Sequence, residues 1–304
     1  MASRLVWVPF DVSRLEPLPS GIEVETYDGG PVLPGSRTRV ELLVPPYDTS
    51  LDLSELLPQL PALRVLQTQT AGVDTIEDQV PRSITLCNAR GVHDASTAEL
   101  AVALILASLR GLPDYVRQAQ TGAWHRETRP SLADRRVLVI GAGSIGSALE
   151  RRLDGFECDV VRVARSAREG VHGWEELPDL LPDADVVVLL VPLTDETRAM
   201  VDAAFLQRMA DGALLVNMAR GAVVDTEALQ AECASGRLNA ALDVTDPEPL
   251  PSDHPLWRTP GVLICPHVGG ATTAMEPRMI ALLRDQLARF AADEPLANLV
   301  RSGK

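Results

Sequence analysis

LVIGAGSIGSALERRL, residues 138–153, sets Gly141, Gly143 and Gly146 directly after an apolar run and at the mouth of a helical pattern. A tight turn at Gly141, close backbone approach at Gly143 and helix packing at Gly146 are what a strand-to-helix junction needs when a pyrophosphate lies over it. The anion would meet unsatisfied N–H groups at the helix start, around Ser144 and Ile145, with the Ser144 hydroxyl as a further donor. The stretch therefore reads as the nucleotide loop of a parallel α/β sheet.

Outward from that loop, short β-branched runs alternate with helical patterns. Strands are expected at 5–8, 22–26, 39–44, 63–67 and 84–87, then at 137–140, 159–163, 186–191, 213–217, 240–244 and 262–264. Such alternation marks α/β architecture, and the nearly continuous apolarity of the second series suits strands covered on both faces. One helix is expected over 95–119, with Ser96 or Thr97 as N-cap and Glu99 in its first turn. A helical stretch after Ala271 closes the chain and can return to the first unit.

The 304 residues, 46% hydrophobic and 23% charged, suffice for two globular domains. A net charge of −14 argues against nucleic acid or an anionic membrane as main partner. The longest apolar run, 100–109, is about half a bilayer span, and MASRLVWVPF lacks the features of a secretory signal, so a cytoplasmic location is expected. Cys87, Cys158, Cys233 and Cys265 form no CxxC pair and read as reduced packing residues. His93, His125, His172 and His254 show no paired ligand spacing, so no metal is assigned.

Against this acidic balance, VRVARSAR (161–168) places an arginine at every third position. The glycine fingerprint calls for a carboxylate about 20 positions on, to bond the adenosine ribose. Counting 19 from Gly146 (165 − 146) reaches Arg165 instead. A guanidinium accepts no hydroxyl hydrogen bond but pairs with phosphate in a forked geometry. With Ser166 and Arg168, Arg165 would suit the 2′-phosphate of NADP, and one or two charge-assisted bonds of about 1.5–3 kcal/mol give at least about tenfold preference over NAD. The bland alternative is a solvated basic edge stacked on adenine. Arg162 is expected to face the other way.

VNMARG, DVTDPEP and CPHVGGAT place Arg220, Glu248 and His267 at or just past the C-terminal ends of successive strands, the edge where open parallel sheets bind ligands. Singly they could be a strand cap, a solvated acid and a loop histidine. Together they supply a forked cation for a carboxylate, an imidazole for proton transfer and an acid to orient it.

AGVD (71–74), TAEL (97–100), GAGSIG (141–146), VPLTDETRAMV (191–201), NMARGAVVD (217–225), ALDVTDPEPLP (241–251) and PHVGGAT (266–272) together resemble, in order, the D-isomer-specific 2-hydroxyacid dehydrogenase family over nearly the whole chain. The resemblance implies two doubly wound parallel-sheet domains. A Rossmann dinucleotide-binding domain, 96–270 with the linking helix, would be inserted into a discontinuous flavodoxin-like substrate domain, 1–95 and 271–304. It further implies a homodimer formed through the dinucleotide domain and closure of the domains on substrate about hinges near Ala95 and Ala271. By the same resemblance Arg220 binds the substrate carboxylate and polarises the neighbouring oxo group, and His267 is the acid in reduction, supported by Glu248. Backbone N–H groups at Ala71, Gly72 and Val73 hold the carboxylate's other side. Asp243 receives the nicotinamide carboxamide, and Val191 and Pro192 form the adenosine-facing wall.

Arginine in place of the usual acid resembles the NADP-preferring glyoxylate and hydroxypyruvate reductase branch. The short stretch after PHVGGAT leaves no room for the C-terminal regulatory domain of many phosphoglycerate members, and Glu248 in place of glutamine speaks against the related formate dehydrogenases. The expectation is thus a reductase of a small 2-oxo acid, glyoxylate or hydroxypyruvate favoured, using NADP(H) ahead of NAD(H). Its rivals are a nucleotide-sensing module of the same fold and an NAD-dependent dehydrogenase. Specificity is expected from loops near Pro9 and 45–48.

Overall fold

Leu138 and Ile140 point to one face of their strand, Val137 and Val139 to the other, and all four are sealed from water. A strand with two apolar faces needs cover on both sides, and the whole architecture meets that demand. The computed structural model describes residues 3–47 and 51–303. The chain divides into two units, Met1–His93 with Thr273–Lys304, and Asp94–Thr272.

In the first unit, β1 (Arg4–Val8), β2 (Ile22–Thr26), β3 (Val40–Leu43), β4 (Val65–Gln67) and β5 (Thr85–Cys87) run parallel in the order β2-β1-β3-β4-β5, with the short α1 (Leu53–Leu56) between β3 and β4. This is the flavodoxin-like order. Leu5, Trp7, Leu43 and Leu66 pack into one core with α1, while Val6, Val8, Leu42 and Cys87 face a second core.

The second unit opens with α2 (Asp94–Leu109) and α3 (Leu112–Thr121), followed by β6 (Arg136–Ile140), α4 (Ser144–Leu153), β7 (Asp159–Ala164), β8 (His172–Gly173), α5 (Leu177–Leu180) and β9 (Val186–Leu189). It closes with α6 (Ala203–Arg208), β10 (Leu214–Asn217), α7 (Thr226–Ala234), β11 (Asn239–Leu242) and β12 (Val262–Ile264). The sheet is parallel in the order β12-β11-β10-β9-β6-β7-β8. Its order reverses between β6 and β9, the switch point of a doubly wound fold. α5, α6 and α7 cover the Leu138 face, and α2 and α4 cover the Val137 face.

The chain then returns to the first unit as α8 (Met275–Ala291) and β13 (Leu299–Arg301). Met279, Leu283, Leu287 and Phe290, spaced by three and four, bury one stripe of α8 against Val6, Val65 and Cys87. Gln286, on the same helix and buried, donates to Gln67 Oε1 at 2.6 Å and accepts from Ala297 N–H at 2.7 Å. No single helix among the described residues is long and apolar enough to cross a membrane.

Several local expectations change. The helix expected over 95–119 is two, bent by 62°, because Gly111 takes a left-handed φ of 63° and Pro113 fits the first turn of a new helix. Ser96 and Thr97 are not caps: α2 starts at Asp94, and both are buried in its first turn, with Ser96 Oγ 2.7 Å from Thr272 Oγ1. β9 and β11 end at Leu189 and Leu242, before the expected 191 and 244, because the chain leaves the sheet there. β8, of two residues, and the antiparallel edge strand β13, whose partner β5 is far away in sequence, are not legible in local pattern.

Candidate active site

Two of the three glycines after β6 are required by contact. A Cβ at Gly141 (φ 118°) would stand 2.6 Å from the Leu190 carbonyl across the switch point, and one at Gly146 would stand 2.3 Å from the carbonyl oxygen of Gly141. At Gly143 a Cβ would meet nothing within 4 Å, so the loop opens on free space there. The first N–H turned into α4 is that of Ser147, bonded to Gly143 O at 3.0 Å. The N–H groups of Ser144, Ile145 and Gly146 therefore point out of the helix end beside that opening. An open concavity, orphan donors and a helix dipole fit a pyrophosphate.

At the end of β7, Arg165 and Ser166 are exposed. Arg165 Nη2 lies 2.6 Å from Glu196 Oε1, with the two side chains 72% and 50% exposed. Arg168 Nη2 donates to the Ala142 carbonyl at 2.9 Å and so lies along the glycine loop. Arg162 pairs with Glu150 of α4 at 2.8 Å and donates to Gly170 O. Val191 is buried just past β9, and Pro192 is exposed beside it.

Arg220, Glu248 and His267 follow β10, β11 and β12, three adjacent parallel strands, at one edge of the sheet. Asn217, buried at the end of β10, donates to Arg220 O at 3.0 Å and accepts from Ala219 N–H at 3.0 Å, which sets the backbone beneath the guanidinium. Gly221 is the next constraint: a Cβ there would lie 1.9 Å from the Thr245 carbonyl, so the Arg220 turn presses against the loop that carries Glu248. His267 Nδ1 lies 2.6 Å from Glu248 Oε1.

His267 holds a left-handed φ of 53°, tolerated by histidine more readily than by branched residues, and its N–H donates to Asp243 O at 2.7 Å. Asp243, 3% exposed, accepts from Val268 N–H at 2.8 Å and Gly269 N–H at 2.9 Å. Burial raises the Asp243 carboxyl from its ordinary value, against the pull of those two N–H groups and of His267. Asp243 thus ties the strand end to the histidine turn.

Ala71, Gly72 and Val73 lie in the first unit, in the loop after β4. Their carbonyls accept from Asn88 Nδ2, from Thr70 Oγ1 and from the N–H groups of Ile76 and Glu77, at 2.7–3.0 Å. Asp48, expected in a specificity loop, lies outside the described residues. Sequence reasoning missed Asn217, Gly221 and Glu196. Only Gly221 carried a signal, as the glycine directly after the arginine in VNMARG.

The family model "D-isomer specific 2-hydroxyacid dehydrogenase, NAD binding domain" matches residues 102–269. A glyoxylate reductase of Korarchaeum cryptofilum is 34% identical over 275 residues, covering 86% of this chain and 81% of the relative. A D-isomer specific 2-hydroxyacid dehydrogenase of Xanthobacter autotrophicus, solved with NADPH and MES, is 29% identical with a TM-score of 0.83, covering 99% and 98%. An NADPH-dependent glyoxylate/hydroxypyruvate reductase of Sinorhizobium meliloti, solved with NADP and malonate, is 25% identical with a TM-score of 0.79, covering 99% and 97%.

Proposed function

The chain belongs to the D-isomer-specific 2-hydroxyacid dehydrogenase family, and from that premise we propose that it reduces a small 2-oxo acid, glyoxylate or hydroxypyruvate, to the D-2-hydroxy acid with NADPH ahead of NADH. The observation that carries this reading is the 2.6 Å bond from His267 Nδ1 to Glu248 at the sheet edge that also holds Arg220. A nucleotide-binding module alone has no need of such a pair.

When bound, the reduced nicotinamide nucleotide supplies the hydride for C2 of the acid. Ser144, Ile145 and Gly146 hold its pyrophosphate, with Gly141 and Gly143 leaving the backbone room. Arg165 and Ser166 hold the 2′-phosphate, with Arg168 beside them on the loop, Val191 and Pro192 wall the adenosine, and Asp243 receives the carboxamide.

Arg220 pairs with the substrate carboxylate in a forked geometry and, being charged, draws electron density from the adjacent oxo oxygen. In the first unit, the N–H groups of Ala71, Gly72 and Val73 are proposed as donors to a carboxylate. Because Glu248 occupies Nδ1 of His267, Nε2 is the nitrogen left for the substrate. A protonated His267 gives its Nε2 proton to the developing alkoxide, while Glu248 balances the imidazolium and holds the ring in place.

The reading also takes the protein as a cytoplasmic homodimer without nucleic-acid or membrane partners. Apolar surface in the second unit supports the dimer. Leu112 and Val116, one turn apart on α3, are exposed, as are Trp257 and Trp124, the last by 95%. A cavity of about 450 Å³ opens where β11 and β12 begin, between Pro113, Asn239, Trp257 and Leu263. Exposed large apolar side chains of this kind are found at association surfaces. Sedimentation should give twice the chain mass, and the monomer mass for Trp124→Ser.

The activity is tested by following reduced-nucleotide consumption by purified protein, NADPH and NADH in parallel, across glyoxylate, hydroxypyruvate, pyruvate, 2-oxobutyrate and phenylpyruvate. Turnover of glyoxylate or hydroxypyruvate is expected. Tight nucleotide binding with no turnover of any acid would replace the reductase by a sensing module.

A further inference from the structure

The carboxylate that the glycine fingerprint calls for is absent from the end of β7, yet a carboxylate stands beside that place. It comes from the other side of β6, on the turn after β9. Glu196 Oε1 lies 2.6 Å from Arg165 Nη2.

The turn carrying Glu196 is fixed. Thr197, 2% exposed, accepts from Thr194 N–H at 2.8 Å and donates to Pro192 O at 2.7 Å. Thr194 Oγ1 donates to Glu196 Oε2 at 3.2 Å. The acid is thus held at one spot, although its side chain is half in water. The turn is also near the nucleotide loop: Gly141 abuts the carbonyl of Leu190, and Gly141 N–H continues the β7 ladder through Val163 O at 2.9 Å.

Arg165 therefore has two competing partners, one in the protein and one on the nucleotide. An ion pair this exposed contributes little, so a phosphate carrying about −1.5 to −2 charges displaces it. The carboxylate then remains close to a like charge, which opposes binding. With a ribose hydroxyl in place of the phosphate the sign reverses, because an ionised carboxylate only accepts hydrogen bonds and a hydroxyl can donate one.

Resting on the reading that Arg165 marks the adenosine ribose, we propose that Glu196 is a second determinant of nucleotide choice. Its carboxylate competes with the 2′-phosphate for Arg165 and serves the ribose hydroxyl when the phosphate is absent. The NADPH preference of the chain is then set by an arginine and an acid from different strands, and is smaller than Arg165 alone would give.

The test is calorimetric binding of NADPH, NADH, adenosine 2′,5′-bisphosphate and AMP to the wild type, Glu196→Gln, Arg165→Ala and the double variant, with Asp195→Asn as control. Glutamine keeps the shape and the bond from Thr194 while removing the charge. Glu196→Gln should tighten NADPH and the bisphosphate by about three- to tenfold, raise the NADPH-to-NADH affinity ratio at least as much, and lose part of that gain at high salt. Asp195→Asn, an exposed acid on the same turn, should change the ratio less than about twofold, and the gain should shrink in the Arg165→Ala background, where the competition is gone and only the like-charge repulsion remains. An unchanged ratio in Glu196→Gln, an equal effect of Asp195→Asn, or a gain undiminished without Arg165 overturns the proposal alone. A wild type that binds the bisphosphate no tighter than AMP, with Arg165→Ala silent, overturns the Arg165 reading as well.

Discussion

Glu248–His267 and Arg165–Glu196 are side-chain contacts of equal length, 2.6 Å, within one unit, and their surroundings differ. His267 is tied through its backbone to Asp243, whose own carboxylate is taken up by two N–H groups in a buried pocket. Arg165, by contrast, lies exposed just past the end of β7, and only its partner's turn is fixed. In the proposed reading the first pair orients a ring so that one nitrogen is left to act. The second, in the same reading, gives way to an anion. Length alone does not separate a pair that positions from a pair that yields; the anchoring of each partner does.

The contrast predicts opposite signs when a carboxylate is removed. The largest effect belongs to the fixed pair: His267→Ala should lower kcat by about a hundred- to ten-thousandfold and leave NADPH affinity unchanged by calorimetry. Retained turnover would remove His267 from the chemistry. Glu248→Gln comes next, with kcat down by about ten- to a thousandfold, KM for the acid little changed and partial rescue by Glu248→Asp, read by steady-state kinetics. Removing Glu196, the acid of the yielding pair, should instead strengthen NADPH.

Arg165→Ala should weaken NADPH by about tenfold or more and NADH by less than about threefold. Equal losses would show that the 2′-phosphate is not its ligand. Gly146→Ala, whose Cβ would lie 2.3 Å from Gly141 O, should weaken both nucleotides alike and lower the thermal midpoint, at a cost of about 1–3 kcal/mol. Smallest of all is Arg162→Ala: its partly exposed pair with Glu150 should contribute less than about 1 kcal/mol, with the nucleotide ratio unmoved in parallel titrations.

What the sequence made legible follows the same line between fixed and yielding parts. Gly141 and Gly146 are constrained by backbone contacts that leave no room for a side chain, so their spacing speaks for itself. Strands with two apolar faces are equally visible, as in VLVI and VVVL. The break between α2 and α3 was not read because LILASLRGLPDY keeps a helical pattern across Gly111, and only the left-handed φ there ends it. β13 pairs with β5 from more than two hundred residues away (299 − 87 = 212), a contact that local pattern does not encode.

Arg220, Glu248 and His267 were legible only as neighbours of strand ends and through the family's ordered motifs. That Glu248 reaches Nδ1 of His267 depends on the crowding of Gly221 against Thr245 and on the turn held by Asp243. Glu196 was invisible: an acid in a polar turn, LTDETR, looks like any solvated residue until the sheet order carries it to Arg165.

The most direct measurement is kcat/KM for NADPH and NADH, with the better of glyoxylate and hydroxypyruvate, on wild type and Arg165→Ala side by side. The account predicts a wild type that prefers NADPH by at least about tenfold and a variant whose ratio falls to one or below. A wild type that prefers NADH, or a ratio that survives the loss of Arg165, would contradict it.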